Sequence, residues 1–448
     1  MTPAPSPLIE KLKRSVHPGA VIRGRYKLQE HLGTGSFGVL YRAEVLRARP
    51  SASPSASASE ALPPHVALKF EAAGLHRPQL ENEYRIYRLL KDDSGFARAY
   101  DYFEDAQGGY NCLVLQLMGA SLEALRRRQP VAETIVLPTN GKRLPLRKFS
   151  LKTVLMIADQ LLTSVEAFHR AGFVHRDIKP ENVLVGAAAE NRHLVHLVDL
   201  GIAKPFLDAA SGRHVPYTEH LSLSGTARYC SVNSSIEIEQ SRRDDVEGLL
   251  FVLLYLLNGY LKWQGCKAET QEKTYQHICA RKLNLSVEEI CDQAPAEFCE
   301  ALTYCRGLRF DDRPDYKRLR RLFRHCARRH EFVYDYRYDW TLPPPPPAPP
   351  ALEPPPHAPA AASLASASKS PAAHRPSVSL PELSAFSSAS SYSAAPADAS
   401  STGFPATRSS SAASALGRML TRSAVARSGA RSFGSLQGSR FGSARRRL

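Results

Sequence analysis

The chain has 448 residues, of which 43% are hydrophobic and 23% charged, a composition typical of soluble globular proteins. The longest apolar run, 249–257, is about half of the ~20 residues that a membrane-spanning helix needs. The first 16 residues have no apolar signal core, so we do not expect secretion. The eight Cys show no CxxC pairs, which argues against a zinc site or disulfide framework and favours reduced thiols in the cytoplasm or nucleus.

The formal net charge of +16 is divided between two parts of different composition. Residues 341–448 contain 11 Lys and Arg against 3 Asp and Glu, whereas the first 340 residues contain 48 against 40, so each part contributes +8. The segment opens with TLPPPPPAPPALEPPP and holds 16 of the 33 Pro. It buries too little apolar surface to offset the entropy cost of ordering, so we expect a disordered tail.

Three interpretations of this tail stay open. It is a plain solvated segment, or its nine Arg from 408 onward attach it to nucleic acid or another polyanion. Alternatively, its serines regulate the protein, because each phosphate adds about −1.5 to −2 charges and several would cancel the positive charge. Aromatic residues are few, which argues against stacking on bases, so we expect no specific nucleic acid partner.

The part before the tail, 22–338, is long enough for a large core, and its elements change type along the chain. Val, Leu and aromatic residues predict strands at YKLQEHLG, VLYRAEV, HVALKFE and NCLVLQL. Apolar spacing predicts helices at RPQLENEYRIYRLL, over 151–168, from about Asp245 through GLLFVLLYLL, and late in the chain around Leu319, Leu322, Phe323 and Cys326. Strands first and helices afterwards predict an α+β protein with two lobes.

Three segments need separate interpretation. The Pro- and Ser-rich stretch 47–64 is predicted to be a disordered surface insert, and 128–147 an irregular connection between two helices. The Arg-rich segment 318–329 could be a nuclear signal. Its apolar positions instead favour an amphipathic helix packed on the core.

The first motif with chemical content is Gly33-Thr-Gly35-Ser-Phe-Gly38. Alone, GxGxxG is a weak signal that also fits a plain hairpin turn. A Rossmann site needs these glycines to open a helix, whereas strand-like sequence continues here as VLYRAEV. The context therefore favours a β-hairpin over phosphates, where glycine lets main-chain N–H groups approach the anion.

A lysine follows this hairpin inside the apolar strand VALK. Lys69 is either a solvated charge or a phosphate ligand, and the second role needs a carboxylate to hold it. Glu83 in the next helical stretch is the candidate partner.

The strongest motif is HRDIKPEN, which spans His175–Asn182 and is followed 17 positions later by Asp199-Leu200-Gly201. An accidental match of this length is very improbable. With these motifs the chain resembles the protein kinase family. The resemblance implies ATP as phosphate donor, Mg²⁺ as cofactor and proteins as substrates.

Residue roles follow from this resemblance. Asp177 would orient the substrate hydroxyl and accept its proton, Lys179 would meet the γ-phosphate, and Asn182 and Asp199 would hold Mg²⁺. Lys69, positioned by Glu83, would bind the α- and β-phosphates beneath the glycine hairpin. Because all of these positions are filled, the resemblance implies an active enzyme rather than a pseudokinase, and the IKPE loop resembles the serine/threonine branch.

A narrower resemblance covers about 22–340. The segment SLSGTARYCSVNSSIEIEQSRRDDVEGLLFVLLYLLNGYLKWQG (222–265) is very similar to casein kinase 1, as are KFSLKTVL and FDDRPDYKRLRRLFRHCARRHEFVYDYRYDW. By position, Leu115 would be the gatekeeper of the adenine pocket, and the hinge would consist of Gln116, Leu117 and Met118. The resemblance implies acidic or already phosphorylated substrate sites.

The sequence departs from this family pattern at several positions. Leu200 replaces the usual Phe beside the magnesium-binding Asp, and we expect activity to persist because Leu is also an apolar plug. Leu207, Gln271 and Thr274 occupy positions that are often basic, although Lys267 and Lys273 remain. We therefore expect less dependence on a phosphate three residues before the target than in the relatives.

Taken together, these residues predict a protein kinase with an N-terminal extension (1–21), a catalytic domain (22–340, small lobe to about 118) and the tail (341–448). We expect a monomer in the cytoplasm, the nucleus or both. The alternative is a non-catalytic scaffold, with a kinase-like domain and a basic tether to acidic partners.

Overall fold

The computed structural model describes residues 7–35, 38–46, 62–75 and 78–341. The expectations for 47–61 and for the tail from 342 onward lie outside these residues. Within the described part, a β-rich lobe is followed by a mostly helical lobe, which confirms the predicted α+β, two-lobed architecture.

The small lobe is a six-stranded antiparallel sheet with strand order β1-β2-β3-β4-β6-β5. Its elements are α1 (Pro7–Ser15), β1 (Val21–Ile22), β2 (Tyr26–Thr34), β3 (Gly38–Val45), β4 (His65–Ala72), α2 (Leu80–Leu89), β5 (Ala99–Asp105) and β6 (Tyr110–Gln116). The four strands and the helix predicted in this part are present, whereas β1 and β5 were not predicted.

Among the described residues, the large lobe contains eight α-helices, two short 3₁₀ helices (Pro180–Asn182 and Ala189–Asn191) and six short strands. The helices are α3 (Leu122–Arg128), α4 (Leu151–Arg170), α5 (Val232–Ser235), α6 (Arg242–Asn258), α7 (Gln271–Asn284), α8 (Val287–Ile290), α9 (Ala296–Arg306) and α10 (Tyr316–Arg329). The strands are β7 (Glu133–Val136), β8 (Arg143–Leu146), β9 (Phe173–Val174), β10 (Val183–Val185), β11 (Val195–Leu197) and β12 (Lys204–Pro205).

Two apolar helices form the centre of the large lobe. Nearly every side chain of α6 is buried, as its all-round apolar sequence predicts, and it packs on α4. Ser150 caps α4 by accepting a hydrogen bond from the Thr153 N–H at 3.3 Å.

Along the described chain, every helix is too short or too polar to cross a membrane.

The N-terminal extension contributes to the small-lobe core. Ile9 and Leu12 of α1, together with Val16, are at most 5% exposed and pack in the same cluster as β3 and β4. The Tyr41 hydroxyl donates to the Val16 carbonyl oxygen at 3.0 Å. The helix therefore covers apolar sheet surface.

The stretch 128–147 is not the irregular connection that its composition predicted. Strands β7 and β8 pair as an antiparallel hairpin, and the hairpin tip contacts the turn after α6. Thr139 donates to the Gln264 carbonyl oxygen at 2.6 Å, and Asn140 to that of Gly265 at 2.8 Å. These contacts are distant in sequence, so local composition did not reveal them.

The Arg-rich segment 318–329 lies on α10, the predicted amphipathic helix. Leu319, Phe323 and Cys326 are fully buried, whereas several Arg pair with acids on neighbouring helices. The pairs are Arg318–Glu300, Arg320–Glu166, Arg324–Asp159 and Arg329–Glu297. Much of the positive charge of this helix is thus neutralised within the large lobe.

We expect Leu12→Ala to lower the free energy of unfolding by about 2–4 kcal/mol, because it leaves a cavity between α1 and the sheet. Urea denaturation would measure the loss. Leu89→Ala is the control, since Leu89 is 64% exposed and its truncation should change stability little. Equal stability of the Leu12 variant and the control would contradict a structural role for α1.

Candidate active site

Lys69, Glu83 and Asp199 meet between the two lobes. Lys69 lies in β4, and its Nζ donates to Glu83 Oε2 at 2.7 Å and to Asp199 Oδ1 at 2.8 Å. Glu83 lies on α2 and is 1% exposed, so helix packing determines its position. The structure therefore brings together three residues that are separated by as many as 130 positions in the sequence.

Electrostatics keeps Lys69 and Asp199 of this cluster charged. The Lys69 ammonium holds the pKa of Asp199 at about 2, although burial opposes the shift. Burial disfavours the charge on Lys69, but the carboxylates of Glu83 and Asp199 outweigh it and raise the lysine pKa above its ordinary value. At neutral pH the cluster thus presents a lysine cation and an Asp199 anion to the space between the lobes.

Asp199 has a backbone conformation that non-glycine residues seldom adopt, with φ of +65°. The Tyr87 hydroxyl, at 3.2 Å from the Asp199 nitrogen, and the Lys69 ammonium hold it on two sides. The next residue, Leu200, is fully buried, and its N–H donates to Glu83 Oε1 at 3.3 Å. Leu200 therefore fills an apolar site, as expected for a substitute of the usual Phe.

Asp177 lies on the loop between β9 and β10, and both of its carboxylate oxygens are engaged. Oδ2 accepts from Lys179 Nζ at 2.5 Å and from Asn182 Nδ2 at 3.3 Å. Oδ1 accepts from the main-chain N–H of Thr226 at 2.9 Å and from its hydroxyl at 2.7 Å. Four donors thus orient one carboxylate, which is the arrangement required of a group that positions a reacting hydroxyl.

Asp245 of α6 binds main-chain groups of the loop that carries Asp177. The two Asp245 oxygens accept from the N–H groups of His175 at 2.7 Å and Arg176 at 2.8 Å, and Oδ2 also contacts His169 Nε2 at 2.8 Å. Arg176 has a φ of +69°, so this carboxylate stabilises a strained backbone. Burial favours the neutral acid, but the hydrogen bond to His169 and the other contacts hold the Asp245 pKa below its usual value.

The glycine motif lies at the turn between β2 and β3. The Gly35 N–H donates to the Gly38 carbonyl oxygen at 2.9 Å, as in a hairpin. A Cβ atom on Gly38 would lie 1.8 Å from the Phe70 carbonyl oxygen, so only glycine fits there. Cβ atoms on Gly33 or Gly35 would meet open space, so their surface is accessible to a ligand.

The candidate hinge follows β6. Leu115 is 8% exposed and pairs with Ala67 of β4, whereas Gln116, Leu117 and Met118 are half-buried. The Gln116 N–H already donates to the Arg98 carbonyl oxygen at 2.7 Å. Among the main-chain hydrogen bonds that the described residues form outside helices and strands, none involves Leu117 or Met118, so these groups are candidates to bind a nucleobase.

Asn182 and Asp199 have donor atoms that suit Mg²⁺. The Asn182 side-chain nitrogen donates to the Asp177 carbonyl oxygen at 3.0 Å, which leaves its amide oxygen as the atom for a cation. The part of the chain that the structure describes contains no cluster of three or more His, Cys, Asp or Glu that could hold a metal alone. Two oxygen ligands fit a cation that takes its other ligands from phosphate and water.

Comparison with known families agrees with this geometry. The sequence matches the protein kinase domain over residues 26–317, about two thirds of the chain. The chain belongs to the protein kinase family, which uses ATP and Mg²⁺ and acts on protein substrates.

Sequence reasoning did not assign roles to Thr226, Asp245 or Tyr87. Thr226 and Asp245 lie in the 222–265 segment that carries the family resemblance, which was the available signal. Their roles depend on contacts across 49 to 112 positions, so nothing in their local sequence indicates them.

We expect Thr226→Val to lower kcat about 10- to 100-fold, because a hydrogen bond to a charged group contributes about 1.5–3 kcal/mol. The variant loses the hydroxyl that donates to Asp177 and keeps the main-chain N–H. Steady-state phosphotransfer to a peptide would measure the effect. Thr226→Ser is the matched control and should stay within threefold of wild type; a fully active Val variant would contradict the role of the hydroxyl.

Proposed function

We propose that this protein is an active serine/threonine kinase of the casein kinase 1 type, which transfers the γ-phosphate of ATP to Ser or Thr hydroxyls of proteins. The observation that carries the proposal is the joint engagement of Lys69 by Glu83 and Asp199, next to a fully oriented Asp177. A chain retained only for scaffolding has no need of this arrangement. The catalytic domain spans 22–340, with the small lobe to about 118, the extension 1–21 before it and the tail 341–448 after it.

Each polar group has one task in this reaction. Asp177 orients the acceptor hydroxyl and takes its proton, while Lys179 meets the γ-phosphate. Lys69 binds the α- and β-phosphates beneath the hairpin of Gly33, Gly35 and Gly38. Asn182 and Asp199 would hold Mg²⁺, which would supply neutralisation of phosphate charge.

Adenine would lie against Leu115 and bind the hinge through main-chain groups of Leu117 and Met118. The choice of Ser and Thr rests on the loop Ile178–Glu181, which resembles the serine/threonine branch. The choice of casein kinase 1 rests on the similarity over 222–265.

We expect the full-length protein with Mg²⁺ and ATP to phosphorylate Ser and Thr, but not Tyr, in a degenerate peptide library. Asp199→Asn should lower the rate about 100-fold or more, because it removes a carboxylate that neutralises phosphate charge. Glu190→Gln, an exposed carboxylate away from the cluster, is the matched control. Absence of transfer by wild type, or cellular function that survives Asp199→Asn, would favour the scaffold.

Substrate choice depends on cations near the activation segment, and several are missing or paired. Leu207 is apolar and 37% exposed. The Thr274 hydroxyl is occupied by the Ala268 N–H and the Thr270 carbonyl oxygen, both at 3.0 Å. Lys273 pairs with Glu269 at 2.7 Å. These contacts support weaker selection for a phosphate at position −3 than in the relatives.

One basic residue of this segment, Arg228, lies two positions after Thr226. The Arg228 guanidinium lies over the Tyr229 ring at 5.8 Å, without a carboxylate within ion-pair distance among the residues described. Gln271 is neutral and hydrogen-bonds to the Tyr275 hydroxyl. We therefore expect a reduced preference for acidic and phosphorylated sites rather than its loss.

We expect a peptide pair with and without phosphoserine at −3 to differ in kcat/KM by less than a hundredfold. The double variant Leu207→Arg with Thr274→Lys should raise the ratio about tenfold or more, since a charge-assisted bond contributes about 1.5–3 kcal/mol. Lys317→Met, at an exposed site on α10, is the control and should leave the ratio unchanged. A hundredfold preference in wild type would contradict reduced priming.

A further inference from the structure

A lysine of α7 is buried without an acidic partner. Lys282 is 0% exposed, and its Nζ donates to the carbonyl oxygens of Ala227 at 2.9 Å and Cys230 at 2.6 Å. The Ser235 hydroxyl lies 3.4 Å from the same nitrogen. The partners that the described residues offer this nitrogen are carbonyl, hydroxyl and thiol groups, not carboxylates.

Burying an ammonium group is unfavourable unless its donors are satisfied. Here the three donors of Lys282 face oxygen atoms, and the Phe251 and Trp263 rings lie 5.4 and 5.3 Å away, at cation–π distance. An apolar side chain would fill such a site without any charge to compensate. The need to fill the core therefore does not explain why a lysine occupies this position. Its hydrogen bonds to main-chain carbonyl groups do explain it.

The carbonyls that Lys282 binds belong to the 226–230 turn, which runs from Thr226 to Cys230. The Thr226 carbonyl oxygen accepts from the N–H groups of Tyr229 at 2.9 Å and Cys230 at 3.0 Å, which closes the turn. Trp263 Nε1 donates to the Arg228 carbonyl oxygen at 2.7 Å. Lys282 and Trp263, whose ring lies 5.3 Å from the lysine nitrogen, thus bind three carbonyl groups of the turn.

The beginning of this turn contacts the catalytic loop. Its first residue, Thr226, donates twice to Asp177 Oδ1, and Gly225 approaches the Arg176 carbonyl so closely that a Cβ atom would lie 2.2 Å from that oxygen. The turn therefore transmits its position directly to the Asp177 carboxylate. Lys282 itself touches neither Asp177 nor any group that we assign to ATP.

We infer that Lys282, together with Trp263, is a positioning residue for the acceptor side of the cleft. By fixing the 226–230 turn, it determines where Thr226 holds Asp177 and where the protein substrate lies, without affecting nucleotide binding. The inference rests on the proposed kinase function, because it concerns placement of the phosphate acceptor.

The test uses Lys282→Met in the full-length protein, which keeps an unbranched apolar chain of similar length and removes the charge. We expect kcat/KM for a Ser peptide to fall at least tenfold, while KM for ATP stays within twofold. Lys317→Met is the matched control, since that lysine is exposed on α10. Binding of a non-hydrolysable ATP analogue would report the folded fraction.

A double-mutant cycle separates positioning from loss of stability. If Lys282 acts through Thr226, Lys282→Met combined with Thr226→Val should lose about as much activity as the more damaging single variant. The inference would be overturned if the fold-loss of the double variant equalled the product of the two single fold-losses. It would also be overturned if the affinity of the folded Lys282→Met protein for ATP fell as much as its activity.

Should Lys282→Met be unfolded, so that no fraction of it binds the ATP analogue, Trp263→Phe decides the question by the same cycle, because it removes the indole N–H and keeps an aromatic ring. If Trp263→Phe combined with Thr226→Val loses about as much activity as the more damaging single variant, the inference is supported. If the two losses of activity multiply, it is overturned. Absence of peptide phosphorylation by wild type would contradict the proposed function instead.

Discussion

The buried Asp245 carboxylate is the interaction on which the rest of the site depends. It lies near the start of α6 in the large-lobe core and binds two consecutive N–H groups of the loop that carries Asp177. One of those residues, Arg176, has a left-handed backbone that is unfavourable by itself. A buried apolar helix thus holds a strained loop in place, and Asp245 stabilises the backbone that leads directly to Asp177.

The two lobes contribute groups of opposite charge to the cleft. The small lobe supplies the Lys69 cation, whose helix partner Glu83 is buried, and the large lobe supplies Asp199. Their contact places opposite charges across the space between the lobes. The large lobe also supplies the 226–230 turn, which Lys282 and Trp263 hold from the core side and which reaches Asp177 from the cleft side. Nucleotide groups and acceptor groups are therefore supported by separate contacts.

Much of the architecture could be predicted because its patterns are local. Four strands of the small lobe and helices α2, α4, α6 and α10 follow from side-chain periodicity, which burial on one face imposes on the sequence. The hairpin of β7 and β8 could not be predicted, because its stability includes contacts with the turn at 264–265, more than a hundred positions away. The helix α1 could not be predicted for a similar reason, since its apolar residues matter only against the sheet.

The sequence alone determined the residue types of the catalytic motifs and the family resemblance, because HRDIKPEN and its spacing to Asp199 lie in contiguous or nearly contiguous segments. Only the tertiary structure decided which groups support them. Thr226 meets Asp177 across 49 positions, and Lys282 meets the Cys230 carbonyl across 52. Main-chain carbonyls and N–H groups have no sequence signature, so a buried lysine or aspartate that binds them is recognisable only after the chain has folded.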